Sequence, residues 1–322
     1  MKQQNTQSTV DCAAPQPNPP SPFSPFGVDL FGEPIRPETK SPVAQQFIVP
    51  PFSVLSARDG TWQDRKRAWA EMGIAGEVGR GDNLLKYSAT TSLGEKDTSI
   101  FDPVVCELMY SWFSGKGAQV VDPFAGGSVR GIVASCLGRK YWGGELRGEQ
   151  VEANRKQAAD LCPGDTDLKW EEGDSMQTLD NAPDADFVFS CPPYGNLEVY
   201  SDDPDDISNM EYHTFKAAYG RIILKAVKRL KQDRFACFVV GDFRDKKGFY
   251  RNFVSDTIAA FEAAGARFYN EAILVTAVGS GSMRVTRQFE AGRKLVKTHQ
   301  NILVFCKGDW KKATKAATEG EI

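Results

Sequence analysis

The sequence contains no long hydrophobic run, since no stretch approaches the roughly 18 apolar residues that a membrane-spanning helix needs. The N-terminus is polar and carries no apolar segment of the secretory-signal type. Seven cysteines are spread over the chain without a C-x-x-C pair, which suggests buried thiols in a reducing compartment. These absences together predict a cytoplasmic protein.

The sequence also lacks an excess of charge of either sign. Its 39 lysines and arginines oppose 42 aspartates and glutamates, for a net charge of −3. A nucleic-acid surface would therefore have to come from local basic clusters, and the global balance says nothing about it. The only two histidines, His213 and His299, are isolated in the sequence. We expect both to be structural, and we expect no metal site.

The chain divides by composition. With 322 residues, 41% of them hydrophobic, it can bury a core of one large domain or two small ones. Residues 1–45 are rich in proline and glutamine and predict a disordered tail, because they hold too little apolar surface to order themselves. Residues 46–96 form a basic and aromatic extension around a helix expected at Trp62–Met72. Residues 97–310 carry the patterned main domain, and residues 311–322 predict a flexible C-terminal tail.

The most informative stretch runs from Ala118 to Glu145. Gln119–Val121 predicts a short strand, which is followed by a glycine-rich turn and then by an apolar stripe at helical spacing over Val129–Leu137. Tyr141–Gly144 predicts a second strand, and Glu145 stands at its carboxyl end. Ligands of open α/β sheets bind at that edge, and an acid there suits the two hydroxyls of a ribose. The stretch predicts a nucleoside-binding half-domain.

The glycine turn does not match the phosphate-binding patterns. The dinucleotide fingerprint G-x-G-x-x-G fails because Ser128 stands where the second glycine belongs, and the sequence has no G-K-[ST] loop. A turn that offers an acid, Asp122, and no phosphate cradle suits a cationic ligand without phosphate. S-adenosylmethionine is such a ligand, because its amino group and sulfonium are positive and its ribose is free.

Two motifs carry a resemblance to a known family. VVDPFAGGSVRG, at Val120–Gly131, resembles the cofactor motif of S-adenosylmethionine-dependent amino-group DNA methyltransferases, and FSCPPYGN, at Phe189–Asn196, resembles their catalytic motif. The resemblance covers roughly Asp97 to Lys307 and makes residues 97–310 the catalytic domain. It implies the following cofactor-binding residues: Asp122, Pro123, Phe124, Ala125, Gly126, Gly127, Glu145 and Asp174.

The double-proline turn carries the chemistry that the resemblance implies. An exocyclic base amine is a poor nucleophile because its lone pair is conjugated into the ring, so acceptors must hold its hydrogens during attack. In the family, a polar side chain and the carbonyl of the first proline supply the acceptors, while an aromatic ring stacks on the flipped base. The implied catalytic residues are Ser190, Cys191, Pro192, Pro193 and Tyr194.

The first position of this motif departs from the family. Cys191 stands where aspartate, asparagine or serine is usual, and a thiol is a weak acceptor. Either Ser190 reaches the amine through a different turn, or the carbonyl of Pro192 does most of the work. The target base stays open, with N4 of cytosine slightly favoured over N6 of adenine. Two other interpretations make Cys191 a nucleophile for pyrimidine C5 methylation, or a buried, inert thiol.

The order of elements predicts the fold. Five strand–helix alternations are followed by two strands, at Arg267–Val278 and Asn301–Lys307, that no helix is expected to separate. Alternation indicates a parallel sheet, and the last pair indicates an antiparallel hairpin at one edge. We therefore predict a Rossmann-like α/β fold of the methyltransferase type. Its seven-stranded sheet would be mostly parallel, with one antiparallel edge strand and helices on both faces.

Gly279–Thr298, between these two strands, is the strongest candidate for a DNA surface. It has one acid, Glu290, and glycines at both ends, so it predicts a flexible basic loop that contacts phosphates. The apolar side chains of Met283, Val285 and Phe289 are candidates for insertion where a base leaves the stack. The proposed DNA-binding residues are Arg284, Arg287, Arg293, Lys294 and Lys297.

The pattern resembles compact methylases of bacteriophages and prophages, for which protection from host nucleases is the implied role. No separate target-recognition domain fits between the motifs or after Cys306, so the chain would read a short sequence or rely on a specificity partner. The oligomeric state stays open. Other interpretations are methylation of RNA or of a protein glutamine, and a non-catalytic DNA-binding module. The enzyme hypothesis requires Gly126 and Pro192 to face a common hollow.

Overall fold

The computed structural model of the chain describes residues 42–74, 101–194, 206–279 and 281–318. Residues 1–41 of the predicted tail and 75–96 of the extension lie outside this described part. The strands within it are β1 Val54–Ser56, β2 Gln119–Asp122, β3 Lys140–Glu145, β4 Leu168–Glu172, β5 Ala185–Ser190, β6 Leu230–Val240, β7 Arg267–Val275 and β8 His299–Lys307.

The described strands form one eight-stranded sheet in the order β1-β7-β8-β6-β5-β2-β3-β4. Strand β8 runs antiparallel to both of its neighbours, and the other pairs are parallel. The predicted Rossmann-like α/β fold, with a mostly parallel sheet, is thus confirmed. The strand count is eight rather than seven because Val54–Ser56 of the N-terminal extension adds to the edge beside β7. The reversed strand was predicted at the edge, but β8 lies third from it, because β7 and β1 both lie outside β8.

Helices cover both faces of the sheet. They are α1 Pro42–Phe47, α2 Gly60–Glu71, α3 Pro103–Phe113, α4 Val129–Cys136, α5 Gly148–Leu161, α6 Ser175–Thr178, α7 Tyr212–Arg229, α8 Phe253–Ala263, α9 Gly281–Gly292 and α10 Trp310–Thr318, with a short 3-10 helix at Ile207–Asn209. One core lies between the sheet and α2, α3, α4, α5 and α10, and the second between the sheet and α6, α7 and α8.

Alternation along the central strands builds these two cores. In β5, Phe187 and Phe189 point into the first core, whereas Val188 points into the second. All three side chains are fully buried, and burial of a side chain of this size contributes about 1.5–3 kcal/mol. The middle of the sheet is therefore a rigid support for the loops at its carboxyl edge.

The N-terminal extension packs on the main domain through α2 and α3. The guanidinium of Arg65 pairs with the carboxylate of Glu107, which also accepts a hydrogen bond from Trp69 Nε1 at 3.3 Å. Trp62 Nε1 donates to Asp102 Oδ2 at 3.1 Å. The predicted helix is present, but it begins at Gly60, two residues before Trp62, and ends at Glu71.

Two segments differ from the sequence-based expectation. The predicted flexible loop at Gly279–Thr298 contains α9, because its glycines lie at the ends of the segment and the residues between them are compatible with a helix. Residues 311–318 of the predicted tail form most of α10, since Ala313 and Ala317 share one helical face and are buried against the sheet, whereas residues 319–322 lie outside the described part.

Gly143, near the end of β3, is required by the close packing of the neighbouring turn. A Cβ at Gly143 would lie 2.8 Å from the Cβ of Ala125 and 2.8 Å from Tyr141 Cε1. Only glycine therefore allows the turn after β2 to pack directly over β3. This close approach brings Gly126 next to Glu145, where a nucleoside pocket was predicted.

Candidate active site

A cavity of about 430 Å³ opens at the carboxyl edge of the sheet, where β2, β3 and β5 end. Its size falls in the range of about 300–1,000 Å³ that is usual for small-molecule sites. Gly126, from the turn after β2, and Pro192, from the turn after β5, both line it. The geometric requirement of the enzyme hypothesis, a hollow shared by these two turns, is met in this fold because β2 and β5 are neighbours.

The predicted cofactor residues separate into two groups. Those that line the cavity are Pro123, Phe124, Gly126, Glu145 and Asp174. Asp122 and Ala125 are fully buried behind the wall, and Gly127 is half-buried outside the lining. The Asp122 carboxylate is directed into the protein and away from the cavity, and its contact with a ligand stays a prediction.

Asp122 organises the turn from behind. Its Oδ2 accepts hydrogen bonds from Arg130 Nε at 2.6 Å and from Tyr141 OH at 2.7 Å, and its Oδ1 accepts from Phe124 N at 3.1 Å. Arg130 also donates to the carbonyl of Ala125 at 2.8 Å. Burial lowers the pKa of Arg130, but the Asp122 carboxylate together with Tyr141 and Cys191 raises it, and the pKa lies above its ordinary value. The pair is a buried, hydrogen-bonded ion pair that holds the turn.

Glu145 stands at the predicted position, where its carboxylate is fixed by backbone donors. Gly126 N donates to Oε2 at 2.9 Å, and Arg147 N donates to Oε1 at 3.1 Å. From the adjacent helix, Asn154 Nδ2 donates to the carbonyl of Gly126 at 2.8 Å. Asp174, the N-cap of α6, accepts a bond from Met176 N at 2.9 Å and also lines the cavity. Two oriented carboxylates thus border the predicted nucleoside site.

The catalytic turn places its residues on opposite sides. Cys191, Pro192, Pro193 and Tyr194 line the cavity. Ser190 is fully buried, and its hydroxyl donates to Asp122 Oδ1. The Ser190 hydroxyl thus faces the turn after β2 and not the cavity, and its contact with an acceptor amine stays a prediction. The cavity instead receives the thiol-bearing residue and the double proline.

Tyr194 is held by contacts from β8 and from the second core. Gln300 Nε2 donates to the Tyr194 hydroxyl at 2.8 Å, and both residues line the cavity. The Tyr194 ring packs edge-on against Phe243 and Phe253, with centroids 6.5 and 6.1 Å away. The Tyr194 side chain is therefore held by the two aromatic contacts of its ring and by the hydrogen bond of its hydroxyl.

Several cavity residues were missed by the sequence analysis. Asp206 is not among the predicted site residues, yet it lines the cavity, is buried, and caps the 3-10 helix through a bond from Ser208 N at 2.9 Å. The D-x-S capping pattern was the available signal. Lys66 and Asp102 also line the cavity, and their ammonium and carboxylate groups lie 3.6 Å apart. The extension thus contributes a wall of the cavity.

The five basic residues predicted to bind DNA lie along α9 and the segment that follows it. Arg284 and Arg287 lie exposed on α9, and Arg293 follows it with its guanidinium 5.1 Å from the centre of the Phe289 ring. Lys294 and Lys297 lead back toward the sheet. Burial lowers the pKa of Lys297, against an opposing effect of Asp242. The DNA contact itself stays a prediction.

Other features of the described residues are limited. No group of three or more His, Cys, Asp or Glu side chains there has the arrangement of a metal site. None of the helices in the described ranges is long and apolar enough to cross a membrane. Of the six described cysteines, four are buried and two, Cys136 and Cys191, are half-buried.

No protein-family model matches the chain, and no curated protein sequence matches it. Among solved structures, it is similar to TrmN from Thermus thermophilus, with 15% identity, a TM-score of 0.44 and coverage of 64% of this chain and 49% of that one. It is also similar to precorrin-6y C5,15-methyltransferase from Geobacter metallireducens GS-15, with 14% identity, a TM-score of 0.42 and coverage of 68% and 94%. A third is the magnesium protoporphyrin IX methyltransferase of Synechocystis PCC 6803, with 11% identity, a TM-score of 0.40 and coverage of 64% and 79%. The chain thus spans about half the length of TrmN, and similarities of this size assign no activity.

Proposed function

We propose that this chain is an S-adenosylmethionine-dependent DNA methyltransferase that methylates an exocyclic base amine, N4 of cytosine or N6 of adenine, in a flipped nucleotide. One observation carries the proposal. The glycine turn after β2 and the double-proline turn after β5 line a single cavity through Gly126 and Pro192. A cofactor on the first turn and an acceptor on the second would be neighbours there.

The charges that line the cavity are compatible with the cofactor. Four carboxylates, from Asp102, Glu145, Asp174 and Asp206, outnumber three cations, from Lys66, Arg130 and Arg147. The lining therefore has a small net negative charge, which suits a ligand with a positive sulfonium and amino group. The carboxylate of Glu145 is held at the wall by two backbone N–H groups, as the hydroxyls of a ribose require of a fixed acceptor. When bound, S-adenosylmethionine supplies an electrophilic methyl group.

The chain's own residues act on the acceptor. The carbonyl of Pro192 is available to accept a hydrogen from the amine, since a proline turn keeps it out of the strand ladder. Cys191 lies beside it and offers a weaker acceptor. The ring of Tyr194, fixed by Gln300, provides the surface on which an extruded base stacks. With Ser190 bound to Asp122, the carbonyl of Pro192 is the principal acceptor in this proposal.

The decisive experiment analyses nucleosides from DNA of cells that express the full chain. Mass spectrometry should find more N4-methylcytosine or N6-methyladenine than in cells without the chain, and cells expressing Tyr194→Ala should show a much smaller increase. In parallel, purified protein is incubated with radiolabelled cofactor and separate pools of DNA, RNA and protein. If label is found only in RNA or only in protein, that polymer and not DNA is the substrate. Label in none of the pools would refute the proposed methyltransferase activity.

A further inference from the structure

A short turn after β6 lies at the carboxyl edge of the sheet and has no role in the site described so far. It runs from Phe243 to Arg251, and Arg244 and Tyr250 form an antiparallel bridge across it. Because β6 lies beside β5 and runs parallel to it, this turn leaves the sheet on the same side as the double-proline turn. It therefore borders the proposed catalytic site.

The turn is a preformed structure. Asp245 Oδ1 accepts hydrogen bonds from Lys247 N and Phe249 N, both at 2.9 Å, and Asp245 N donates to the carbonyl of Phe249 at 2.8 Å. Gly248 has φ of +93°, a conformation that favours glycine, and its carbonyl accepts a bond from Arg244 Nη1 at 2.9 Å. A loop closed by this many internal bonds loses little entropy when it binds a ligand.

The exposed side chains of the turn are mainly cationic and aromatic. Phe249 is 72% exposed, and Lys246 and Lys247 are also exposed. No described acid lies within ion-pair distance of either lysine. The guanidinium of Arg244 stacks 4.0 Å from the centre of the Tyr250 ring. The carboxylate of Asp245 is engaged by backbone N–H groups of the same turn, which hold its pKa below the ordinary value.

A second segment adds charge to the same surface. Lys294, which follows α9, extends across the turn so that its ammonium lies 2.5 Å from where a Cβ of Gly248 would stand. The surface is also continuous with the cavity. The Tyr194 ring contacts Phe243, the first residue of the turn, and Tyr194 Cε1 would lie 3.8 Å from a Cβ at Gly241. A strand whose base occupied the cavity would run next over this turn.

We propose that the turn Phe243–Arg251, together with Lys294, binds the unpaired DNA strand that flanks the target nucleotide. Phe249 stacks on an unstacked base next to the target, and Lys246, Lys247 and Lys294 contact the phosphates. Cations that follow a backbone, combined with exposed rings that stack on bases, are the recurrent arrangement of single-strand binding sites. The inference rests on the proposed function and names the part of the substrate that this turn holds.

The test measures binding without methyl transfer. Fluorescence anisotropy with a labelled single-stranded DNA oligonucleotide compares the full chain with Phe249→Ala, Phe249→Leu and Phe249→Tyr. Stacking predicts that alanine and leucine weaken binding about tenfold, whereas tyrosine keeps it within about twofold. Equal affinity for Phe249→Ala and the unaltered chain would overturn the stacking role. Because Phe249 is exposed, thermal melting should be unchanged in all three variants.

The charge role has its own measurement and matched control. The double variant K246Q/K247Q should reduce the slope of log affinity against log salt by about 1.4, from roughly 0.7 per phosphate contact on a single strand. K311Q/K312Q removes an adjacent lysine pair from α10, at the opposite end of the sheet near Asp233, and should leave the slope unchanged. Equal slopes for the two double variants would overturn the phosphate contacts.

The outcomes also separate this inference from the proposed function. If the unaltered chain methylates DNA while the turn variants bind as it does, the turn has no such role and the function stands. If the unaltered chain binds neither DNA in this assay nor cofactor in calorimetry, the proposed function falls. Tighter binding of single-stranded RNA of the same sequence would overturn the assignment to DNA.

Discussion

The hydroxyl of Ser190 donates a hydrogen bond to the carboxylate of Asp122 across the adjacent carboxyl ends of β5 and β2. The two residues belong to different motifs and lie 68 positions apart in the chain. Their contact joins the cofactor turn to the catalytic turn behind the cavity wall. Neither side chain faces the ligand space, so both act by positioning the residues that do.

The first prediction concerns Ser190→Ala. Removing the hydroxyl deletes a hydrogen bond to a buried carboxylate, which should lower the free energy of unfolding by about 1.5–3 kcal/mol. Methyl transfer should stay within about tenfold of the unaltered chain, because the hydroxyl does not reach the acceptor. Urea denaturation and labelled-methyl transfer to DNA measure the two quantities. Unchanged stability with abolished transfer would return Ser190 to the catalytic group.

The second prediction is a double-mutant cycle on the buried ion pair. Arg130→Met leaves the Asp122 carboxylate without its cation in a dry site, and should destabilise the fold by about 3–5 kcal/mol. Asp122→Asn should also destabilise it. The double variant should be destabilised by less than the sum of the two single variants, because each single change already removes the ion pair. Strict additivity in urea denaturation would contradict a direct interaction.

The third prediction isolates cofactor binding at Glu145. Replacing Glu145 by glutamine removes the charged acceptor at the cavity wall. The affinity for S-adenosylmethionine, measured by calorimetry, should fall about tenfold or more. Glu149→Gln is the matched control, since Glu149 also approaches Arg147, at 3.9 Å, but its side chain is 63% exposed on α5. Equal affinities for the two variants would exclude Glu145 from the cofactor site.

Much of the fold followed from local pattern. Strand–helix alternation predicted the order of elements from Gln119 onward, and the apolar stripe over Val129–Leu137 predicted a helix that the structure has at Val129–Cys136. The errors arose where local signals conflict with packing. Glycines at the ends of α9 indicated a loop, and the short β1 is a strand only because β7 offers an edge to pair with.

The site was predictable by position and not by orientation. The ends of β2, β3 and β5 were located from sequence, so Gly126, Glu145 and Pro192 were assigned to one edge. The direction of a side chain at such an end depends on partners far away in the chain. Hydrogen bonds from Arg130 and Tyr141 orient the Asp122 carboxylate toward the interior, and Asp122 in turn accepts the hydrogen bond that orients the Ser190 hydroxyl. The sequence gives no signal for this chain of hydrogen bonds.

The fourth prediction concerns the contact between Tyr194 and Gln300. Tyr194→Phe keeps the ring but removes the acceptor of the 2.8 Å bond, so transfer should fall about fivefold. Tyr194→Ala also removes the stacking surface and should lower transfer about a hundredfold. Gln300→Leu should resemble Tyr194→Phe, and combining the two should cost no more than either alone, because both delete the same bond. Multiplicative losses in kcat/KM would show that Gln300 acts separately from Tyr194.

The fifth prediction is a pH dependence of stability from His299. Burial, and then the nearby Lys297, lower the pKa of His299 below its ordinary value of 6.5, against opposing effects of Asp242 and Glu271. The unfolded chain therefore takes up a proton more readily than the folded one as the pH falls through 6.5. The free energy of unfolding should decrease over that interval, level off below the lowered pKa, and receive no contribution from this group above 6.5.

His299→Gln removes the titrating ring while keeping a polar side chain at the start of β8. Thermal melting between about pH 5 and 7 should then be flatter for this variant than for the unaltered chain. His213→Gln serves as the comparison, because His213 is exposed on the first turn of α7. An identical pH profile for His299→Gln and the unaltered chain would show that His299 titrates equally in both states. The half-buried His299 at the start of β8 would then not be the cause of any loss of stability in acid.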